Sequence, residues 1–374
     1  MKLHYLDNAA TTAVLPAAAQ AAGIAMTTVF GNPSSLHRAG QQARELLERS
    51  RKTVADALGV KPDCLYFTGG GSESINTALL GAAKKNKHLG RHIISTLLEH
   101  DAVLNSLNAL KAEGWEITLL APRKDGNIHL EDLEAALRPD TVLVSMMGVN
   151  NETGAVLPYS EAAALTHKVC PKALFHLDGV QTFCKVPLDL KHVDLASFSA
   201  HKIGGMKGCG ALYIRSGLTI QPLIRGGGQE KGQRSGTEGL PQIAAFAEAC
   251  KIRTADPERD WAHMRAMKAR LLAGLESRGI QVAVNSPENG APHVLNLSPR
   301  KGRSEVLIRV LSDMGVCVSG GSACSKGKKS HVLTALGLDA KNIDAALRVS
   351  LCPETGEEDI DAFCNGLQEA LKFF

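Results

Sequence analysis

Seven short apolar runs alternate with longer amphipathic stretches, and this alternation limits the fold more than any other feature of the chain. The runs are residues 64–68, 92–96, 117–121, 142–146, 174–178, 195–199 and 210–214. Between them lie amphipathic segments such as 41–58 and 130–137. Brief β-branched or apolar runs spaced by helical patterns predict an α/β fold with a mostly parallel seven-stranded sheet, covered by helices on both faces. Ligands of such sheets bind outside the carboxyl ends of the strands. Chemistry is therefore expected just after each strand.

The pattern changes near Pro257. A long charged helix over 261–277 precedes strand candidates 281–285, 294–298 and 317–319, with helices expected over 304–314 and 357–373. A length of 374 residues suits two domains. They are read as a large domain over residues 1–256 and a small α+β domain over 257–374. The first ~15 residues are expected to pack on the small domain. The glycine-rich stretch 226–236 carries too many directional polar groups for a linker and reads as a long loop.

Composition removes several function classes. A net charge of +4 does not demand nucleic acid as a partner. No uncharged apolar run reaches the ~18 residues of a membrane span. The opening Met1-Lys2-Leu3-His4-Tyr5-Leu6-Asp7 meets a carboxylate before any apolar core can develop, so no signal peptide is expected. The nine cysteines are odd in number and form no Cys-x-x-Cys pair. That speaks against a disulfide framework and a zinc site, and for a reducing cytoplasm.

Four features at the strand ends are weak singly and strong together. Thr68-Gly69-Gly70-Gly71-Ser72-Glu73-Ser74 lies between a strand and a helix, where backbone N–H groups make an anion site. Asp178 ends another strand; alone, it reads best as a helix N-cap. Lys202 closes Ser197-Phe198-Ser199-Ala200-His201-Lys202, and alone it reads as a surface lysine. His100 follows the strand 92–96, and alone it reads as a histidine at a helix N-terminus. A lysine able to form a Schiff base, a carboxylate for a pyridinium nitrogen, a Gly/Ser anion cradle and an aromatic base are the requirements of pyridoxal 5'-phosphate (PLP).

These residues also carry a resemblance. The chain resembles the cysteine desulfurases of the NifS/IscS type, within the class-V aminotransferases and the fold-type-I PLP enzymes. The matching stretches are residues 5–12 (Tyr5-Leu6-Asp7-Asn8-Ala9-Ala10-Thr11-Thr12), 31–37, 96–100, 149–154 (Val149-Asn150-Asn151-Glu152-Thr153-Gly154), 176–181 and 197–202, 226–230 with Arg234-Ser235-Gly236-Thr237, and Ser322-Ala323-Cys324. Nearly the whole length is covered.

The resemblance implies a role for each matched position. Lys202 carries the cofactor and moves the Cα proton, Asp178 pairs with the pyridine nitrogen, Gln181 touches the ring hydroxyl, and His100 stacks on the ring and serves in acid–base steps. Gly71, Ser72, Ser199 and His201 hold the phosphate, joined by Thr237 from the second subunit of a homodimer. Asn151 and Arg348 orient the L-cysteine substrate, Arg348 by a bidentate grip on its carboxylate. Cys324 takes the sulfur as a persulfide and passes it to an acceptor protein, an iron–sulfur scaffold or a thiolation enzyme. No metal site is implied, though Cys324 could ligate an iron–sulfur cluster transiently. The glycines and Lys326, Lys328 and Lys329 around Cys324 suit a mobile loop that favours a thiolate.

The weaker readings are an aminotransferase, a selenocysteine lyase and a non-catalytic scaffold. The first has no need of a cysteine on such a loop, and the last has no need to retain Lys202, Asp178, His100 and Cys324 together. Three departures from the family pattern stand out: Gly69-Gly70-Gly71-Ser72 in the cradle, a short basic loop after Cys324, and Cys352-Pro353 where a glycine is usual.

Overall fold

The structure, a computed structural model, describes residues 2–320 and 329–374. Its strands in chain order are β1 (His4–Tyr5), β2 (Leu65–Thr68), β3 (His92–Thr96), β4 (Glu116–Leu120), β5 (Thr141–Met147), β6 (Leu174–Asp178), β7 (Leu195–Ser199), β8 (Gly210–Ile214), β9 (Val282–Val284), β10 (Val294–Pro299), β11 (Val316–Cys317) and β12 (Leu347–Ser350). The large sheet has the order β2-β8-β7-β6-β5-β3-β4. Only β8 runs against its neighbours. The carboxyl ends of β2, β3, β5, β6 and β7 therefore share one edge.

Burial on both faces explains why these strands read as continuous apolar runs. Along β8, Ala211 and Tyr213 join one apolar cluster while Leu212 and Ile214 join another. The first contains the helices Pro16–Thr27, Arg38–Leu58 and Leu240–Arg253, and the second Gly71–Asn86 and Asp101–Ala112. In the large sheet β3, β6, β7 and β8 have the limits read from the sequence, and β2, β4 and β5 differ by one residue at one or both ends, the scatter usual for element boundaries.

A second sheet, β12-β10-β9, is antiparallel and packs with the helices Pro257–Ser277, Ser304–Asp313 and Glu357–Ala370 around a third cluster. Leu6 belongs to that cluster. The strand expected over 317–319 is corrected: it occupies Val316–Cys317 and pairs in parallel with β1, while Ser319 bridges to Arg348. The exchange satisfies the backbone of both the N-terminal segment and the stretch before Gly320. β12, which pairs with one side of the central strand β10, was not among the strand candidates.

The stretch 226–236 is a loop with one 3₁₀ turn, Glu230–Gly232. Glu230 of this turn points inward. The Arg51 guanidinium donates to both Glu230 oxygens, at 2.7 and 2.8 Å, and the Phe67 amide of β2 donates to one of them at 2.8 Å. Arg51 also donates to the Leu65 carbonyl and lies over the Phe67 ring. Removing one partner of a buried ion pair leaves the other uncompensated. Glu230→Ala should therefore cost about 3–5 kcal/mol in urea unfolding, and a loss of only ~0–1 kcal/mol, as for a surface pair, would refute this account.

Candidate active site

Five strand ends of the large sheet, the N-terminal segment and β12 enclose a cavity of about 250 Å³. Of the positions singled out in the sequence, Gly71, Ser72, His100, Asn151, Asp178, Gln181, Ser199, His201, Lys202 and Arg348 all line it. Thr237 does not; it is exposed within its own chain. Cys324 lies outside the described residues.

The end of β2 delivers an anion cradle. Gly70 has a φ of 149°, which side-chain-bearing residues rarely adopt. The helix Gly71–Asn86 then begins with no side chain capping it, so its first N–H groups are available to a ligand at the cavity. Glu73, in the same first turn, is drawn away by the Gly69 amide at 2.9 Å and by Arg234 at 2.9 Å. A Cβ on Gly71 would come within 2.9 Å of Val180, which fits a glycine there.

His100 combines both of its sequence readings. It is the N-cap of the helix Asp101–Ala112, and its Nδ1 accepts from the Ala102 amide at 3.1 Å. That bond leaves the ring proton to Nε2. Burial holds its pKa below the usual histidine value, against the pull of Asp178. His201 is pushed down to about 4 by burial and the charge of Lys202, and its Nδ1 pairs with the Thr11 hydroxyl at 3.0 Å. Both rings are thus neutral near pH 7.

Asp178 likewise caps a turn, accepting from the Val180 amide at 3.0 Å. Burial raises its pKa, and the neighbouring His100 and Lys202 oppose the rise. A buried carboxylate of this kind calls for a cationic partner. Lys202 leaves β7 through the 3₁₀ turn Ala200–Lys202, and its Nζ donates to the carbonyls of Ala9 and Ala10, each at 2.8 Å. On β12, Arg348 donates to Asp7 at 2.8 Å and to the Asn151 carbonyl at 3.0 Å. Its buried Nε has no partner among the described residues. An uncapped helix start, a buried carboxylate, a lysine and a partly satisfied arginine around one cavity fit a phosphate-bearing pyridine aldehyde holding an amino acid.

Several contributors were invisible in the sequence. The Ala9 and Ala10 carbonyls are backbone groups, on which residue type gives no hint. Asn150, next to Asn151, accepts from the Glu152 and Thr153 amides and builds the turn that presents Asn151. The flanks of the segment carrying Cys324 are tied to the same place. Ser319 and Arg348 exchange backbone hydrogen bonds, Ser330 donates to the Glu152 carboxylate, and His331 pairs with the Glu99 carbonyl.

Glu99 lies beneath the site, fully buried, with Oε1 accepting from Thr96 and the Met147 amide at 2.9 Å each. Burial, then the charge of Asp178, pushes its carboxyl up to about 8 from 4.5. The folded protein thus keeps a proton that the unfolded chain releases above about 4.5, so this group costs stability as pH rises from about 4.5 to 8. Glu99→Gln removes the proton exchange and should gain in urea midpoint over wild type across that window. Parallel pH profiles for the two proteins would contradict the assignment.

The pattern of the family described as Aminotransferase class-V matches residues 4–363. The chain is 39% identical, over 99% of its own length and 97% of the relative's, to a NifS/IcsS protein homolog of Lactobacillus delbrueckii subsp. bulgaricus. It is 38% identical, over 96% of its length and 90% of the relative's, to the cysteine desulfurase IscS of Methanosarcina thermophila. Among solved structures, a NifS-like protein superposes with a TM-score of 0.94 at 37% identity, with 100% of each chain covered.

Proposed function

The chain belongs to the Aminotransferase class-V family, and from that membership we propose that it is a PLP-dependent cysteine desulfurase. It converts L-cysteine to L-alanine and receives the sulfur on Cys324 as a persulfide. The observation that carries this reading is the convergence of Lys202, Asp178, His100, Arg348 and an uncapped helix start on one cavity. Full-length similarity to a cysteine desulfurase supports it.

In this reading the start of the helix Gly71–Asn86 holds the cofactor phosphate, helped by Ser72, Ser199 and the neutral His201. Asp178 would pair with the pyridine nitrogen, His100 would lie against the ring, Gln181 would meet the ring hydroxyl, and Lys202 would carry the cofactor. Bound there, PLP supplies an electron sink for the Cα–H and C–S bonds of the attached amino acid. Arg348 grips the substrate carboxylate through its unpaired Nε and an Nη, while Asp7 balances the remaining charge. Asn151 borders the same end. The Lys202 amine takes the Cα proton, and the His100 Nε2–H serves as a nearby acid. The Cys324 thiolate attacks the substrate sulfur, so an S–S bond forms as the C–S bond breaks. The carbon keeps the electron pair, takes a proton and leaves as alanine. L-Cysteine and one thiol thus become L-alanine and one persulfide.

Residues 1–256 and 257–374 act as two domains, with the N-terminal segment lending Leu6 to the smaller core. Sulfur then passes to an acceptor protein, an iron–sulfur scaffold or a thiolation enzyme. A cytoplasmic setting suits the cysteines, which are unpaired among the described residues. No helix among those residues is long and apolar enough to cross a membrane.

Two experiments test the reading. With L-cysteine and a reductant, alanine and sulfide should appear in equal amounts. Both Cys324→Ala and Cys324→Ser should lose about 100-fold or more of the sulfide release, because a hydroxyl cannot replace the soft nucleophile. Mass spectrometry after alkylation should place the extra sulfur on Cys324. Undiminished turnover in Cys324→Ala would favour an aminotransferase. The second experiment concerns assembly. Because Thr237 stands outside its own cavity, its place as a phosphate ligand requires a two-fold dimer with composite sites. Sedimentation should give a dimer, and fully active monomers would refute the composite site.

A further inference from the structure

Gln181 and Lys185 lie four residues apart in the turn that follows β6. Lys185 is only 8% exposed, and its Nζ donates to Gln181 Oε1 at 2.7 Å. The charged and titratable groups that act on it are Lys202, Arg253, His293, Cys184 and Cys352. No carboxylate pairs with it among the described residues. Burial and the charge of Lys202 hold its pKa well below the usual lysine value. A buried amine without a counter-charge is expensive, and an apolar side chain of the same length would pack there at lower cost. The stability of the turn therefore does not explain a lysine at this position.

The hydrogen-bond chemistry does. The Ala9 carbonyl can only accept, so Gln181 presents Nε2 to it, at 2.8 Å. Gln181 Oε1 must then face the other way and needs a donor, which Lys185 provides. The Ala9 carbonyl also accepts from Lys202. One continuous network thus runs from Lys185 through Gln181 and Ala9 to Lys202, and both ends of the Gln181 amide are fixed. One Nε2 hydrogen is spent on Ala9, which leaves the second for the cavity that Gln181 lines.

We propose that Lys185 is a positioning residue of the cofactor site, holding the Gln181 amide in the one orientation that offers an N–H to the ring hydroxyl of PLP. This rests on the placement of Gln181 at that hydroxyl, given above. Lys185 touches neither substrate nor cofactor and acts through Gln181.

The test is a double-variant cycle on the holoenzyme, comparing Lys185→Met, Gln181→Ala and the pair. The readouts are the visible absorption maximum of the bound PLP and its rate of loss to a phosphatase that destroys free PLP. Lys185→Met should shift the maximum and speed the loss about five- to ten-fold, the range for one hydrogen bond. In the Gln181→Ala background it should change neither. Equal effects in both backgrounds, or no effect of Lys185→Met in the wild-type background, would overturn the proposal. So would a lowered melting temperature of cofactor-free Lys185→Met, which would assign the lysine to folding. If Gln181→Ala alone leaves spectrum and retention unchanged, the placement of Gln181 has failed and the proposal falls with it.

Discussion

The guanidinium of Arg348 is 2% exposed, and its burial holds three parts of the molecule to one arrangement. Its charge is met by Asp7 from the N-terminal segment, and one further N–H by the Asn151 carbonyl beyond β5. Its backbone pairs with Asn296 of β10 and exchanges hydrogen bonds with Ser319. A buried charge that loses a partner is strongly destabilising. The N-terminal segment, the large sheet and the small sheet are therefore compatible with Arg348 only in company. The residue assigned to the substrate carboxylate is thus also the joint between the two sheets. Replacing it perturbs binding and architecture together.

Around that joint the protein controls charge by burial more than by counter-charge. His100 and His201 are kept neutral, so they take part as hydrogen-bonding rings without adding positive charge. The same holds deeper in the sheet, where His176 is pushed down to about 3 and bridges Ser145 and Ser197. Lysine is treated in two ways. Lys202 is held by two backbone carbonyls at the cavity, and Lys185 by a side-chain amide behind it. Positive charge at the cavity thus comes from Arg348 and Lys202, and the end assigned to the phosphate has neutral imidazoles and a helix start.

The large sheet was legible because its strands are buried on both faces and so appear as unbroken apolar runs. Two-residue strands leave less trace: β1 is absent from the sequence reading, which sets β11 one to two residues late, since they join chain segments more than three hundred residues apart. Within the site, side chains with unusual chemistry at strand ends could be read. Their bland and functional readings turned out to be compatible: Asp178 and His100 cap local turns and also line the cavity. Backbone participants and supporting residues could not be read. Nothing about two alanines suggests carbonyls that hold a lysine, and Lys185 gains meaning only when Gln181 is seen beside it.

The pairing of Asp7 with Arg348 spans 341 residues, and it orders events at the ribosome. At roughly 5–20 residues per second, on the order of 20–70 s separate the synthesis of the two partners. During that interval the large sheet can assemble, but Leu6 lacks its core and β1 lacks β11. The Ala9 amide also lacks the Ser350 hydroxyl, which anchors the segment that holds Lys202. A nascent chain therefore passes through a stage with a nearly complete cradle and an N-terminal segment whose Leu6 has no core to enter. Cofactor capture should therefore wait for β12, and until then the segment around Leu6 is where a holding chaperone would find its grip.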